Sequence, residues 1–435
     1  MNCKSGDDET CKRRNATSLS YYIASLLVTL EYARIWPDGE SFPSCKILLS
    51  SGATIIFICA NFLLLLSEIA VLTMRCNLEL FANIIGVIGM HAVGLVKWCY
   101  CIKTNGIIVD MVMTLEKCHV LCQRIDNSED GYQIYRSQME RARQYSTYFI
   151  RGWMITCIYG ILHWCANPLF ITSWTEMDFT SNHTSTKRNL PYITWYPLDV
   201  DNIYNYICLY SMQVIGGLSS AIGIVCYDSL YVTILMIICA QFQYINTILT
   251  KTNFDNVSTL EKKLKNCADC HAEIIKFLKM LQSFTGPTMF VQCIETLIGI
   301  CLVSFQTSAI VVINKETILI LWSLFEYFIC LNIQLYFFCF YATRLEHLGT
   351  QISHSVYSCG WELVNVEKKR ESNFKTQSQN HSIYSLVQTI ILRAQRPIVL
   401  TGGPFYALSL ETFRAISTMA VSNSVFLHTV SSANE

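Results

Sequence analysis

Charge is scarce in this sequence. Only 15% of the 435 residues are Asp, Glu, Lys or Arg, against 52% hydrophobic and 12% aromatic, and the two signs cancel to a net charge of zero. So little charge excludes an ordinary water-soluble surface, and the lack of a basic excess gives no basis for a nucleic-acid partner. Catalytic signatures are missing as well. No His-Glu-x-x-His, Gly-x-Ser-x-Gly or phosphate-loop pattern occurs and the nine histidines are scattered, so no enzyme and no cofactor is expected. Repeated halves with paired broken helices are also lacking, which argues against the second class considered, a small-molecule membrane transporter. The first twenty residues are polar and charged, so no cleavable signal peptide is expected.

Cysteine, by contrast, is plentiful at 21 residues, but most lie inside apolar runs where the thiol acts as a small hydrophobe. The close pairs Cys99/Cys101, Cys118/Cys122 and Cys267/Cys270 each lack a matching second pair in the sequence, so no metal site is expected.

What the chain has in quantity is long apolar runs. Stretches of spanning length fall near 46–72, 79–101, 148–172, 203–240, 285–313, 317–342 and 404–428. They predict an all-α membrane protein with seven transmembrane helices. With the N-terminus cytoplasmic, 24 of the 32 Lys and Arg fall in inside segments and 4 in outside ones. That asymmetry predicts a cytoplasmic N-terminus and an extracellular C-terminus. Of the sequons at Asn15, Asn182, Asn256 and Asn380, only Asn182 then lies outside, and it is the expected glycosylation site.

Segment four is too long for a bilayer, so its inner end is expected to project below it. The stretch after it carries an apolar stripe at Leu260, Leu264, Cys267, His271, Ile274, Ile275, Leu278 and Leu281. A second stripe runs through Ile383, Leu386, Val387, Ile390, Ile391 and Ala394. Both have helical spacing, and they predict a cytoplasmic helical anchor bundle built from the ends of segments four to six and residues 382–395. Pro397 and Gly402-Gly403-Pro404 then break the chain before a last helix over about 404–428. That helix is dotted with Ser409, Glu411, Thr412, Arg414, Ser417, Thr418, Ser422 and Asn423. So many polar groups suit a helix facing water, and it reads as a pore helix in which Glu411 and Arg414 pair. The resulting division is residues 1–342 for segments one to six, 343–403 for the anchor loop and helix, and 404–435 for the pore helix and a short extracellular tail.

Several of these residues resemble the insect odorant receptor family. The resemblance rests on Gln388, Gln395-Arg396-Pro397, Leu400-Thr401-Gly402, Pro404-Phe405 and Leu408-Ser409-Leu410-Glu411-Thr412-Phe413, with Gln334 to Phe340 and Tyr357 to Trp361 upstream. Ala342-Thr343 and Val421-Ser422-Asn423 depart from the family pattern. The resemblance implies an odorant-gated, non-selective cation channel in the plasma membrane of olfactory neuron dendrites. Its tuning subunit, which this chain resembles, assembles with an odorant co-receptor into a hetero-tetramer surrounded by membrane lipid. A gustatory-type seven-helix channel is the nearest alternative, and the Ser409 to Phe413 run argues against it.

A small volatile odorant implies an apolar and aromatic cavity, which the resemblance places in the outer half of the membrane. The expected ligand-binding residues are Cys157, Gly160 and Trp164 on one face of segment three, with His163 beside them. Phe81, Ile84, Ile85 and Ile88 are expected from segment two. Segment four would add Tyr210, Gln213 and Val214, and segment six Trp322, Phe325 and Phe328. Near the outer end of the last helix, Phe426 and Val430 share a face with Thr429 adjacent. They are the expected hydrophobic gate, since an apolar ring stops ions by dewetting.

Overall fold

In the computed structural model, residues 18–36, 44–74, 78–172, 189–251, 257–310, 315–363, 374–404 and 406–433 are described. Eleven α-helices follow in order among them: α1 (Leu19–Tyr22), α2 (Ala24–Tyr32), α3 (Ser44–Met74), α4 (Leu78–Lys103), α5 (Asn105–Gln123), α6 (Glu129–Thr172), α7 (Ile203–Lys251), α8 (Val257–Ala309), α9 (Lys315–Tyr357), α10 (Phe374–Ala394) and α11 (Leu410–Ala433). Helices α3, α4, α7, α8 and α9 are long and apolar enough to cross a membrane. The expected third and seventh spans lie in the second half of α6 and in α11.

Helix α7 is the axis of the molecule. Its 49 residues extend about 74 Å, and from Ser219 to Leu249 nearly every side chain is buried. A helix apolar on all sides suits a core or a membrane span alike; here α3, α4, α6 and α9 all pack on it and cover it with protein. The closest approach is at α4. A Cβ on Gly223 would lie 2.0 Å from the Gly94 carbonyl oxygen, and one on Gly94 would lie 2.5 Å from that of Ser220. Backbones this close require glycine, the small-residue packing typical of membrane helices.

Helix α8, at 53 residues and about 80 Å, far exceeds a bilayer core of about 30 Å. Its first half, up to Phe284, therefore lies beyond the membrane. All eight positions of the stripe from Leu260 to Leu281 are buried there. All but His271 and Ile275 join α1, α2, α5, the first half of α6, the last halves of α7 and α9, and α10 in the largest hydrophobic core among the described residues. Ile383, Val387, Ile390 and Ala394 of α10 are buried in the same core. Ion pairs Lys263–Asp126 at 2.9 Å and Lys117–Glu273 at 2.8 Å tie α8 to α5 and to the turn that follows it. The stripe therefore packs in a bundle instead of lying on a lipid surface.

The two cysteine pairs that stand apart in sequence meet in this bundle. Cys122 Sγ lies 2.9 Å from Cys270 Sγ, because α5 runs alongside α8. Burial pushes the Cys118 thiol up to about 12 and raises Cys267 and Cys270 as well. Among the described residues no group of three or more His, Cys, Asp or Glu is arranged to hold a metal ion.

The break before the last helix is longer than its prolines and glycines predict. Thr401–Gly402 and Tyr406–Ala407 pair as two short antiparallel strands, so α11 starts at Leu410 rather than near 404. Gly403, at φ +66, turns the chain where a Cβ would lie 2.9 Å from Phe290, and its N–H donates to the Gly286 carbonyl. Gln282 reads the strand from α8, accepting from Thr401 N at 2.9 Å and donating to its carbonyl at 2.8 Å. Ser409 caps α11 by accepting from Thr412 N.

Candidate ligand cavity

Helix α6 contributes Trp153, Thr156, Cys157, Gly160, Ile161 and Trp164, which recur at three- and four-residue steps and so line one face. This face closes a cavity of ≈ 100 Å³ with Val87, Met90 and Val93 of α4, Ala221 and Ile224 of α7, Gln292 and Glu295 of α8, and Ser323, Glu326, Tyr327, Cys330, Leu331 and Gln334 of α9. Gly160 leaves open space where any Cβ would stand, with no atom within 4 Å.

A loop roofs the cavity. Tyr192 lies beside it, its N–H bonded to Gln213 Oε1 at 2.9 Å, while Gln213 Nε2 donates to Thr194 Oγ1 at 2.8 Å. Trp164 Nε1 donates to the Pro191 carbonyl at 3.2 Å. Above lies a second chamber of ≈ 330 Å³, bounded by Glu68, Ile84, Asn167, Gln306 and the loop from Asn189 to Ile193. Val87, Trp164, Tyr192 and Ser323 line both spaces and form the partition between them.

The floor is polar and built on a buried ion pair. Asp228 Oδ1 accepts from Lys97 Nζ at 2.6 Å, and Asp228 Oδ2 from Gln334 Nε2 at 2.5 Å and from Trp153 Nε1 at 3.2 Å. Gln334 Oε1 accepts from Gln292 Nε2 at 2.9 Å, which also donates to Glu295 Oε2 at 2.8 Å. Lys97 additionally faces the Tyr227 and Phe338 rings at 5.2 and 5.8 Å. Two charges that would each be costly in a membrane thus neutralise one another at zero exposure.

Of the residues expected at the ligand site, Cys157, Gly160 and Trp164 line the cavity, and Ile84 lines the outer chamber. His163 stands behind the wall, its Nδ1 2.9 Å from Glu326 Oε2. Gln213 pins the loop, and the Tyr210 hydroxyl donates to the Cys165 carbonyl of α6. Val214 packs with Leu64, Ile161 and Tyr192. Phe81 is exposed, Ile85 packs against Ala82, Leu302 and Phe305, and Ile88 is half-buried outside both chambers. On α9 the cavity takes the neighbouring face. Trp322 and Phe325 are half exposed, at 50% and 53%, and Phe328 packs against Ile300, Leu331 and Ala420. The reason is solvent: the aromatic stripe suits lipid, while the face carrying Ser323, Glu326 and Gln334 has to turn inward. Sequence reasoning missed Gln292, Glu295, Glu326 and Gln334, although polar groups inside apolar runs are themselves the signal for a functional site.

Helix α11 packs Ile416 and Ala420 inward against α8 and α9 and leaves Glu411, Arg414, Thr418, Ser422 and Asn423 exposed. Glu411 and Arg414 do not form the ion pair their spacing predicts. The Phe426, Thr429 and Val430 side chains lie outside the described residues, as does Asn182.

An all-helical bundle of membrane-spanning length, with a roofed intramembrane cavity and a broken final helix, defines a multi-span receptor-like membrane protein. The model of the 7tm Odorant receptor family matches residues 77–421, so this chain belongs to the odorant receptor family. It is similar to odorant receptor 13a of Drosophila melanogaster, 24% identical over 67% of this chain and 68% of that one. Odorant receptor 85c of the same species is 21% identical over 78% and 82%. The fold matches the insect olfactory receptor OR5 from Machilis hrabei, solved in complex with eugenol, at a TM-score of 0.73 and 16% identity, over 95% of this chain and 98% of that one.

Proposed function

We propose that this chain is the odorant-tuning subunit of a ligand-gated, non-selective cation channel. The cavity below the 189–196 loop carries this reading. It is mostly apolar, lies between α4, α6, α7, α8 and α9, and is placed where a volatile molecule can be held away from water. Residues 1–342 then hold the ligand, 343–403 hold subunits together through the bundle outside the membrane, and 404–435 line the pore. The exposed polar side of α11, opposite Ile416 and Ala420, is the face that would line a water-filled path between four subunits. Phe426, Thr429 and Val430 would close that path by dewetting. The asymmetry of Lys and Arg supports a cytoplasmic N-terminus and an extracellular C-terminus in the plasma membrane of olfactory dendrites, with sugar on Asn182. The remaining subunits of the tetramer are the odorant co-receptor.

The test is electrophysiological. The full chain is expressed with and without an odorant co-receptor, and current is recorded across an odorant panel. Odorant-evoked cation current that depends on this chain supports the assignment. No evoked current in either case, with both proteins at the surface, overturns it.

A further inference from the structure

We propose that the cavity selects molecules whose apolar body ends in a hydrogen-bond-donating head group. Amines should bind best, hydroxyl compounds next, and acceptor-only carbonyl compounds of the same skeleton poorly. This rests on the cavity being the odorant site and names the chemistry it prefers.

The argument is a census of donors and acceptors. The lining contains no Lys, Arg or His, but it contains two carboxyl groups, Glu295 and Glu326. Apart from the Tyr192 hydroxyl, which faces α7, and the weakly donating thiols of Cys157 and Cys330, its side-chain donors are already committed. Trp153 Nε1 and the Gln334 amide donate to Asp228, and Trp164 Nε1 donates to the Pro191 carbonyl. Thr156 and Ser323 hydroxyls donate to the Gly152 and Leu319 carbonyls of their own helices. The single Tyr327 hydroxyl proton is shared between the Gly86 carbonyl at 3.1 Å and Glu295 Oε1 at 3.2 Å. The Tyr192 hydroxyl is turned to α7, where it meets Gly217, and accepts from Cys165 Sγ.

Two of its acceptors are not committed. Glu326 Oε1 and Gln292 Oε1 are both buried without a hydrogen-bond partner, and both residues line the cavity. Gln292 is itself only 2% exposed. Its amide cannot reverse to present N–H instead. Asp228, held by Lys97, is acceptor-only and takes the Gln334 N–H, so Gln334 presents Oε1 to Gln292. Gln292 must then turn its N–H toward Gln334 and Glu295 and leave its oxygen over. The buried ion pair thus fixes the polarity of a relay whose cavity end accepts. A ligand N–H or O–H satisfies these orphans, while a carbonyl oxygen meets like-signed groups. Glu326, whose Oε1 is free, on a lining that also carries Trp153, Trp164 and Tyr327, favours a cationic amine most.

The test uses the full chain with its co-receptor and four compounds of one skeleton: 2-phenylethylamine, 2-phenylethanol, phenylacetaldehyde and ethylbenzene. The amine and alcohol should act at concentrations at least about tenfold lower than the aldehyde and hydrocarbon. Glu326→Gln, at normal surface abundance, should shrink the advantage of the amine about tenfold. Thermal shifts of the purified complex with the same compounds read binding without gating. If the aldehyde or hydrocarbon equals the donors, or Glu326→Gln leaves the amine's advantage unchanged, the inference is overturned while the receptor assignment stands. If no compound evokes current yet the donors alone shift melting, it is the receptor assignment that fails.

Discussion

Lys97 Nζ and Asp228 Oδ1 lie 2.6 Å apart with neither side chain exposed, joining α4 to α7 directly beneath the cavity. The two residues are the structural keystone of the membrane half. Removing one partner leaves an unpaired buried charge, costing about 3–5 kcal/mol. Asp228→Asn should therefore reduce surface abundance severely, as read by cell-surface labelling. Adding Lys97→Met to it should restore a substantial share, and a single variant as abundant as the parent would disprove the role.

The same two helices touch through glycine, and Gly223→Val should separate them. Its Cβ would stand 2.0 Å from the Gly94 carbonyl oxygen, which is backbone and unable to move aside. Loss of folded protein is the expected outcome in size-exclusion profiles of the solubilised complex. Gly152→Val on α6, with no atom within 4 Å of the added Cβ, should leave the profile unchanged.

Gly160 and Trp164 bound the cavity from one helix face, in opposite senses. Gly160→Val adds volume to open space and should weaken the response to bulky odorants about tenfold while surface abundance is kept. Trp164→Ala removes part of the partition and should shift the preferred ligand size upward. Dose–response curves identical to the parent for every agonist would remove both residues from the site.

Outside the membrane, His271 is buried by 97% of its surface, with Nε2 unpartnered, against Phe242. Burial, followed by the nearby Arg393 charge, lowers its pKa from 6.5 to about 4. The unfolded chain thus binds the proton more readily between these values, so stability falls as pH drops from about 6.5 toward 4. The full loss is about 3 kcal/mol. His271→Phe should flatten this dependence in melting curves between pH 7.5 and 5, and an unchanged slope would show that other groups govern it.

Much of this molecule is legible in its residues because bilayer thickness and helical period leave few options. The stripes from Leu260 to Leu281 and from Ile383 to Ala394 each mark a buried face, since period alone decides which side of a helix is apolar. Cys157, Gly160 and Trp164 likewise share the cavity because they share a face. Facing direction is harder to read within a membrane, where the apolar side of a helix is as much at home in lipid as in a core. That is why Trp322 and Phe325 point outward and their polar neighbours inward. Partners distant in sequence were illegible for another reason. Nothing local connects Lys97 with Asp228, or the Cys118/Cys122 pair with Cys267/Cys270, until helices cross.

The Lys97–Asp228 pair also imposes a timetable. The two residues are 131 positions apart, and a ribosome adds about 5–20 residues per second. For about 7–26 s during synthesis, the ammonium on α4 has been made while its carboxylate has not. Until α7 arrives, Lys97 has to stay near the lipid headgroups or in water, and α4 can settle at its final depth only after its partner is present. Assembly of the membrane half is therefore ordered in time by one ion pair, and a newborn chain that fails to form it displays an unpaired charge that distinguishes it from a finished one.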